Sequence, residues 1–303
     1  MKLPRTCAGW WSPGSGPVIL SVVIARDFSV PLLLLAGFAA ALAAEPGGGF
    51  AAEWKAWHDR REARLRAEDG WLALSGLHWL SPGENRIPGL PGAFLLADGK
   101  VMLRASAGDG FVLDGQPAAE RILASDATEK PDKLRLGAKT VQVIDRAGKL
   151  ALRVWDAASP VRKGFHGIEA FPPHPRWRIE ARWEAYPAPR EVEVPSIVGI
   201  PTREKAPGRA HFTVEGKELT LEPTLDGDDL LFVFKDRTAP KETYGAGRFL
   251  LAKPARDGKV ILDFNRAFNP PCAFTPYATC PLPLPENVLP VRIEAGERKW
   301  DEH

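Results

Sequence analysis

The chain is poor in cysteine, methionine and tyrosine, and it has no excess of charge of either sign. Among 303 residues there are three cysteines, two methionines and three tyrosines, and 40 basic residues stand against 38 acidic ones. The two signs are interspersed, so the chain lacks the basic stripe that nucleic-acid binding requires. We therefore expect no nucleic-acid partner.

Familiar catalytic signatures are also missing. There is no Gly-x-Ser-x-Gly nucleophile elbow, no His-Glu-x-x-His helix and no evident pair of catalytic carboxylates. The glycines of Tyr244-Gly245-Ala246-Gly247 precede a predicted strand, and no Lys-Ser/Thr follows them, so they favour a structural turn over a phosphate loop. The sequence therefore disfavours a familiar hydrolase and predicts no cofactor.

The amino-terminal region carries an apolar run, VPLLLLAGFAAALAA, over residues 30–44. The run is too short to cross a bilayer comfortably, and it ends on Ala41-Leu42-Ala43, a small-x-small cleavage pattern. We predict a signal peptide over 1–43, a linker over 44–51 and an exported protein, periplasmic or extracellular, with no further membrane segment. An uncleaved anchor helix is the alternative.

Proline and tryptophan are abundant, with 29 and 10 residues, which favours a strand-dominated protein with many loops. One amphipathic helix is predicted over 52–67, with Trp54, Trp57, Arg61 and Leu65 along one side. From Trp71 onward short apolar segments alternate with turn pairs such as Asp98-Gly99. This pattern predicts a mainly β protein, with two antiparallel β-sandwich or barrel-like halves preceded by one helix.

We place a domain boundary near Pro160, between a helix-plus-hairpin domain over 52–159 and a β domain over 160–303. The clearest strand, residues 177–184 (WRIEARWE), opens the second half, because its apolar and charged residues alternate strictly. His166 and His174 precede it, but their spacing matches no metal signature, so we predict no metal site there.

A polar cluster follows the predicted strand VILDF. Asp263, Asn265, Arg266 and Asn269 can form a site in which an arginine holds a small polar or anionic ligand. They can equally form a buried network that fastens the proline-rich loop after them, because such a loop lacks backbone donors. The sequence leaves both interpretations open.

Cys272 and Cys280 are the two cysteines left after signal cleavage, and Pro276 between them can start a turn that brings their sulfurs together. In an exported protein a disulfide is the default, and it stabilises by about 2–3 kcal/mol in the chain-entropy model. A thiolate metal site and a catalytic cysteine remain as alternatives.

Three segments carry a resemblance to a known family: ETYGAGRFL over 242–250, DFNRAFNPPCAFTPYATCP over 263–281, and Pro285-Glu286-Asn287. Together they resemble the signature of the bacterial and archaeal domain-of-unknown-function family 1684, whose function is unassigned. Phe268 stands where the family pattern leads us to expect tyrosine.

The candidate ligand-binding residues come from this motif: Tyr244, Arg248, Asp263, Asn265, Arg266, Asn269, Glu286 and Asn287. Two function classes remain open: an exported small-ligand-binding protein or enzyme, and a structural β domain whose motif clamps a loop. The distinguishing observation is whether these side chains converge on an open cavity or lie buried and mutually bonded.

Overall fold

The computed structural model describes residues 49–300. The predicted signal peptide and most of the predicted linker lie outside the described residues. The described part is mainly β, with antiparallel sheets and one long helix near its start, as the sequence predicts. Within 49–300 no helix has both the length and the apolar character needed to cross a membrane.

The long helix, α1, spans Phe50–Leu65, close to its predicted bounds. It buries Trp57, Arg61 and Leu65, which are four residues apart and therefore share one face. The Trp54 indole Nε1 donates a hydrogen bond to the Asn265 carbonyl at 2.9 Å. The helix thus packs against the second half of the chain, although the first half follows it directly in sequence.

The first half contains ten strands in two antiparallel sheets, of order β1-β10-β9-β8-β5-β6 and β2-β3-β4-β7. Phe94, Leu103 and Leu152 are fully buried in the core that these sheets share. The strands are β1 Leu74–Trp79, β2 Gly83–Asn85, β3 Ala93–Ala97, β4 Lys100–Arg104, β5 Val112–Leu113, β6 Gln116–Pro117, β7 Arg121–Leu123, β8 Leu134–Leu136, β9 Lys139–Arg146 and β10 Lys149–Asp156.

A short helix, α2 Pro160–Lys163, leads into the second half, whose two antiparallel sheets have the orders β13-β12-β11-β17 and β14-β15-β16. Phe232, Leu250 and Leu262 are fully buried in its core. The strands are β11 Arg178–Val194, β12 Thr202–Val214, β13 Lys217–Leu221, β14 Thr224–Asp226, β15 Asp229–Phe234, β16 Arg248–Ala252 and β17 Lys259–Asp263.

The predicted hairpin tips have the left-handed backbone that tight turns need. At Asp98-Gly99 the two φ angles are 50° and 67°, and at Asp257-Gly258 they are 50° and 70°. Positive φ at both central residues matches the right-handed twist of the flanking strands. The Asp98-Gly99 turn therefore sets the register of the β3–β4 hairpin. The Asp257-Gly258 turn closes a single bridge between Arg256 and Lys259, because β16 and β17 belong to different sheets.

One strand is longer than the sequence pattern indicates. The sequence pattern predicts a strand over 177–184, but β11 continues to Val194. Its pairing with β12 shifts register between Ala185 and Arg190, where Pro187 and Pro189 interrupt the backbone donors. Proline thus produces an irregularity in one strand here and does not end it.

After β17 the chain forms no further named strand up to residue 300. It continues through three short 3-10 turns, at Phe264–Arg266, Pro271–Ala273 and Pro285–Asn287. The resemblance motif occupies most of this segment. Because the segment has few ladder hydrogen bonds, its backbone polar groups need side-chain partners.

Candidate functional site

The Arg248 side chain is buried, with 1% of it exposed, and it binds the backbone of the carboxyl-terminal segment. Its guanidinium donates to the carbonyls of Ile293, at 3.0 Å, and of Ala295, and it pairs with Asp236 at 3.3 Å. Burial lowers the pKa of Arg248, and the Asp236 carboxylate opposes that shift. Arg248 therefore fastens a strandless segment to the core.

Asn269 is fully buried in a second set of such bonds. Its amide N–H donates to the Glu297 carboxylate at 2.7 Å, and its side-chain Nδ2 donates to the Arg298 carbonyl at 2.7 Å. Arg61 of α1 donates to the same Glu297 carboxylate at 2.8 Å. The Arg61 guanidinium also lies 4.9 Å from the ring of Phe268, the position where tyrosine is expected.

Asn265 and Asn287 complete the group of buried polar motif residues. The Asn265 side chain accepts from the His174 amide at 2.9 Å and donates to the His174 carbonyl at 3.1 Å. The Asn287 side chain bonds both backbone groups of Glu222, at 2.9 and 2.8 Å, and the Val233 carbonyl at 3.0 Å. We refer to Arg248, Asn265, Asn269 and Asn287 as the buried clamp.

Next to the clamp lies a charged cluster that the sequence analysis missed. The buried Glu222 carboxylate accepts hydrogen bonds from Tyr186 at 2.5 Å, Arg190 at 2.6 Å and Arg209 at 2.9 Å. Burial alone would raise the pKa of Glu222, but these hydrogen bonds outweigh it and leave the pKa below its ordinary value. Burial and the bond to Glu222 raise the pKa of Tyr186 to about 12. Tyr186 and Arg190 lie on β11, Arg209 lies on β12 and Glu222 directly follows β13, and together they match no motif.

Tyr244 and the cysteines form an apolar neighbourhood with one polar contact. The Tyr244 hydroxyl donates to the Cys272 carbonyl at 3.0 Å. Burial raises the pKa of the Tyr244 phenol, and Cys272 and Cys280 raise it further. The Cys272 amide lies 3.2 Å from the Cys280 Sγ, but the predicted disulfide is not formed in the structure.

The fold requires glycine at position 247, in the turn that follows Tyr244. Gly247 adopts φ 105°, and a Cβ there would lie 2.6 Å from the Phe234 carbonyl oxygen. Its amide closes a turn on the Tyr244 carbonyl at 3.0 Å. Only glycine fits this close backbone approach.

An open cavity of about 980 Å³ is lined by α1 and by the segment that joins β16 to β17, and we call it the helix cleft. Trp57, Leu251 and Phe268 give it an apolar floor. Four acidic side chains line it: Glu180, Asp229, Asp257 and Asp263. Seven basic side chains line it: Arg60, Arg64, Arg178, Lys253, Arg256, Lys259 and Arg266. The cleft therefore carries an excess of positive charge.

Arg266 and Asp263 are the predicted site residues that line this cleft. The Arg266 side chain is 36% exposed and lies 3.4 Å from the Asp263 carboxylate and 4.0 Å from that of Glu53. The atom that faces Asp263 is the Nε, which is shielded from solvent and does not reach hydrogen-bond geometry with any residue within 49–300. Asp263 also accepts from the Asn265 Nδ2 at 2.9 Å, which connects the cleft to the buried clamp.

Two cleft arginines lie outside the predicted set. Arg60 belongs to α1, Arg256 belongs to the β16–β17 turn, and both are exposed. Neither forms an ion pair with an acidic residue in the part of the chain that the structure describes. The Arg-rich helix sequence could have drawn attention to Arg60, but no sequence signal places Arg256 beside it.

The remaining predicted residue, Glu286, lies apart from the cleft. It is 42% exposed, with its carboxylate 3.8 Å from the Arg190 guanidinium. The predicted set thus divides into the buried clamp, two cleft residues, Tyr244 beside the cysteines and Glu286 at the surface. No group of three metal-binding side chains gathers within 49–300.

Comparisons with known proteins place the motif in a family. The family model described as "Protein of unknown function (DUF1684)" matches residues 163–298. The chain is also similar to an uncharacterized protein of Haloarcula marismortui with a solution NMR structure, at 30% identity and a TM-score of 0.40. That alignment covers 47% of this chain and 81% of the archaeal one. No curated protein matches the chain. On the family match and this identity, the chain belongs to the DUF1684 family of proteins of unknown function.

Proposed function

We propose that this protein binds a small anionic ligand in the helix cleft, with Arg266 as the central contact. The observation that carries the proposal is the Arg266 guanidinium, which is 36% exposed and lines the cleft. Its contacts with Asp263, at 3.4 Å, and with Glu53, at 4.0 Å, are longer than an ordinary N–H···O hydrogen bond, so an anion that enters the cleft can take up its guanidinium donors. Arginine suits this role, because its planar donors match carboxylate and phosphate oxygens.

The surroundings of Arg266 support the same proposal. The cleft has the size of a small-molecule site, and basic side chains outnumber acidic ones along it. Two of the acidic residues are already engaged by lysines, since Asp229 pairs with Lys253 at 2.8 Å and Glu180 pairs with Lys259 at 2.5 Å. A positive cleft with low-dielectric walls concentrates anions.

The test is a calorimetric titration of the protein with naphthalene-2,6-disulfonate, an organic dianion. We expect saturable binding to the wild type and at least a tenfold weaker affinity for Arg266→Gln, since losing a charged hydrogen bond costs about 1.5–3 kcal/mol. Arg121→Gln, at an exposed arginine of β7 outside the cleft, is the matched control. Equal affinities for wild type and Arg266→Gln would refute the proposal.

We also propose that the protein is exported and that Cys272 and Cys280 form a disulfide in the mature chain. The apolar run over residues 30–44 supports export, and the 3.2 Å contact between the Cys272 amide and the Cys280 Sγ supports pairing after oxidation. Mature protein from the envelope fraction should begin near Ala44. Intact-mass analysis with a thiol-blocking reagent should show no addition before reduction and two additions after it. Recovery of the full leader in a membrane pellet would contradict a cleaved signal peptide, and two additions without reduction would contradict the disulfide.

A further inference from the structure

We infer that the helix cleft takes an elongated ligand with an anionic group at each end and an apolar body between them. This inference rests on the proposed function and specifies its ligand. The first observation is the placement of the two arginines that form no ion pair with described acidic residues. Arg60 lines the cleft from α1, and Arg256 lines it from the β16–β17 turn.

These two arginines line the cleft from different structural elements, α1 and the turn between β16 and β17. A compact anion on Arg266 supplies no second anionic group to them. A ligand with two separated anionic groups can supply a counter-charge to both, because opposite charges attract.

The second observation is the floor. Trp57 and Phe268 are 5% and 6% exposed, and they pack in one cluster with Phe249 and Leu231 behind the cleft. Leu251, partly buried, lies at the cleft side of the same cluster. Leu251 and Ile261, which is 41% exposed, add the apolar area of the lining that remains open, and an apolar part of the ligand gains free energy by covering it. A simple inorganic anion would leave this apolar surface in contact with water.

The third observation is the volume. A cavity of about 980 Å³ lies at the upper end of the range for drug-sized ligands, which run from about 300 to 1,000 Å³. Inorganic sulfate or phosphate would occupy a small part of that space. The size, the floor and the two-sided charge therefore point to one class of ligand: an aromatic or aliphatic body with a carboxylate, sulfonate or phosphate at both ends.

The test compares three probes by calorimetry: inorganic sulfate, naphthalene-2-sulfonate and naphthalene-2,6-disulfonate. We expect the disulfonate to bind at least tenfold more tightly than either of the others. Arg60→Gln and Arg256→Gln should each weaken disulfonate binding about fivefold, and the double variant about 25-fold, because the two contacts are separate. Both residues are exposed, so neither change should disturb folding, and Arg121→Gln again serves as control.

The possible results separate the inference from the proposed function. If sulfate binds as tightly as the disulfonate and Arg266→Gln weakens both, the cleft binds anions but the two-ended ligand is wrong. If naphthalene-2-sulfonate binds as tightly as the disulfonate, the ligand needs only one anionic group. The same conclusion follows if only one of the changes Arg60→Gln and Arg256→Gln weakens disulfonate binding. If none of the three probes binds, the anion-binding function itself fails.

Discussion

The buried clamp and the helix cleft use the same residue types from one motif for opposite purposes. Arg248 is 1% exposed and binds two backbone carbonyls and a buried aspartate. Arg266, only 18 positions later, is 36% exposed and makes only longer contacts, with Asp263 at 3.4 Å and Glu53 at 4.0 Å. The buried arginine stabilises the fold through its hydrogen bonds, whereas the arginine at the cavity is the one that we propose as a ligand contact.

The clamp exists because of the segment that it holds. Residues 264–300 contain many prolines and no named strand, so their carbonyls lack the ladder partners that strands provide. Arg248 bonds Ile293 and Ala295, and Asn269 bonds Arg298. The polar residues of the motif replace a missing strand, and this accounts for most of the motif without any ligand.

Substitution of Arg248 should lower the stability of the protein more than any other change proposed here, and it tests the role of the buried clamp. Arg248→Met leaves Asp236 buried without its cation, at a cost of about 3–5 kcal/mol. For a chain of this size the melting temperature should fall by roughly 6–20 °C, measured by circular dichroism. Arg121→Met, at an exposed arginine, should change it by less than about 2 °C. A fall of the same small size in both variants would mean that Arg248 does not fasten the segment.

Loss of the Asn287 side chain should have the second-largest effect on stability. Asn287→Ala removes three hydrogen bonds and leaves backbone groups of Glu222 and Val233 buried without a partner. We expect a loss of about 2–3 kcal/mol in the free energy of unfolding, measured by urea denaturation. An unchanged denaturation midpoint would show that water replaces the amide and that Asn287 is not part of the clamp.

The local parts of the fold are predictable from the sequence, and the non-local parts are not. The helix, the hairpin turns at Asp98-Gly99 and Asp257-Gly258, and the alternation over 177–184 follow from periodicity and turn chemistry. The sequence also shows that the motif is rich in polar residues that are candidates for a functional site. Which arginine is buried depends on residues 40 or more positions away, such as Ile293 for Arg248. Periodicity carries no information on such contacts.

The cleft and the Glu222 cluster illustrate the same limit. Arg60 and Arg256 meet at one cavity only because α1 packs against the second half of the chain. Glu222 gathers Tyr186, Arg190 and Arg209 across neighbouring strands, at the register shift between β11 and β12. Tertiary packing brings these residues together, and no spacing in the sequence records it.

The Glu222 cluster should give a pH-dependent effect of intermediate size. Its pKa is lower in the folded chain than its ordinary value of 4.5, so its contribution is fully present above that pH. The contribution disappears as the pH falls through the folded pKa. We expect Glu222→Gln to be less stable than wild type by about 1–3 kcal/mol at pH 7, with the gap closing toward pH 3. Denaturant unfolding at pH 7, 5 and 3 measures the gap, and a gap that widens on acidification would contradict the assigned ionisation.

Arg266→Gln should have the smallest effect on stability, less than about 1 kcal/mol. Its ion pair with Asp263 is partly solvated, and Asp263 keeps its bond from Asn265. The same change should weaken ligand binding at least tenfold, whereas Asn287→Ala should lower stability and leave ligand binding unchanged.

The most direct test of the division between clamp and cleft is one thermal-unfolding experiment on wild type, Arg266→Gln and Asn287→Ala, each with and without naphthalene-2,6-disulfonate. At about 100 times its dissociation constant the probe should stabilise the wild type by about 2.7 kcal/mol, or roughly 5–10 °C. We predict that Arg266→Gln keeps the wild-type melting temperature and shows at most about half of the probe-induced rise, because tenfold weaker binding halves the stabilisation, whereas Asn287→Ala melts lower and keeps the full rise. The opposite pattern, with Arg266→Gln melting low and keeping the full rise, would contradict the account.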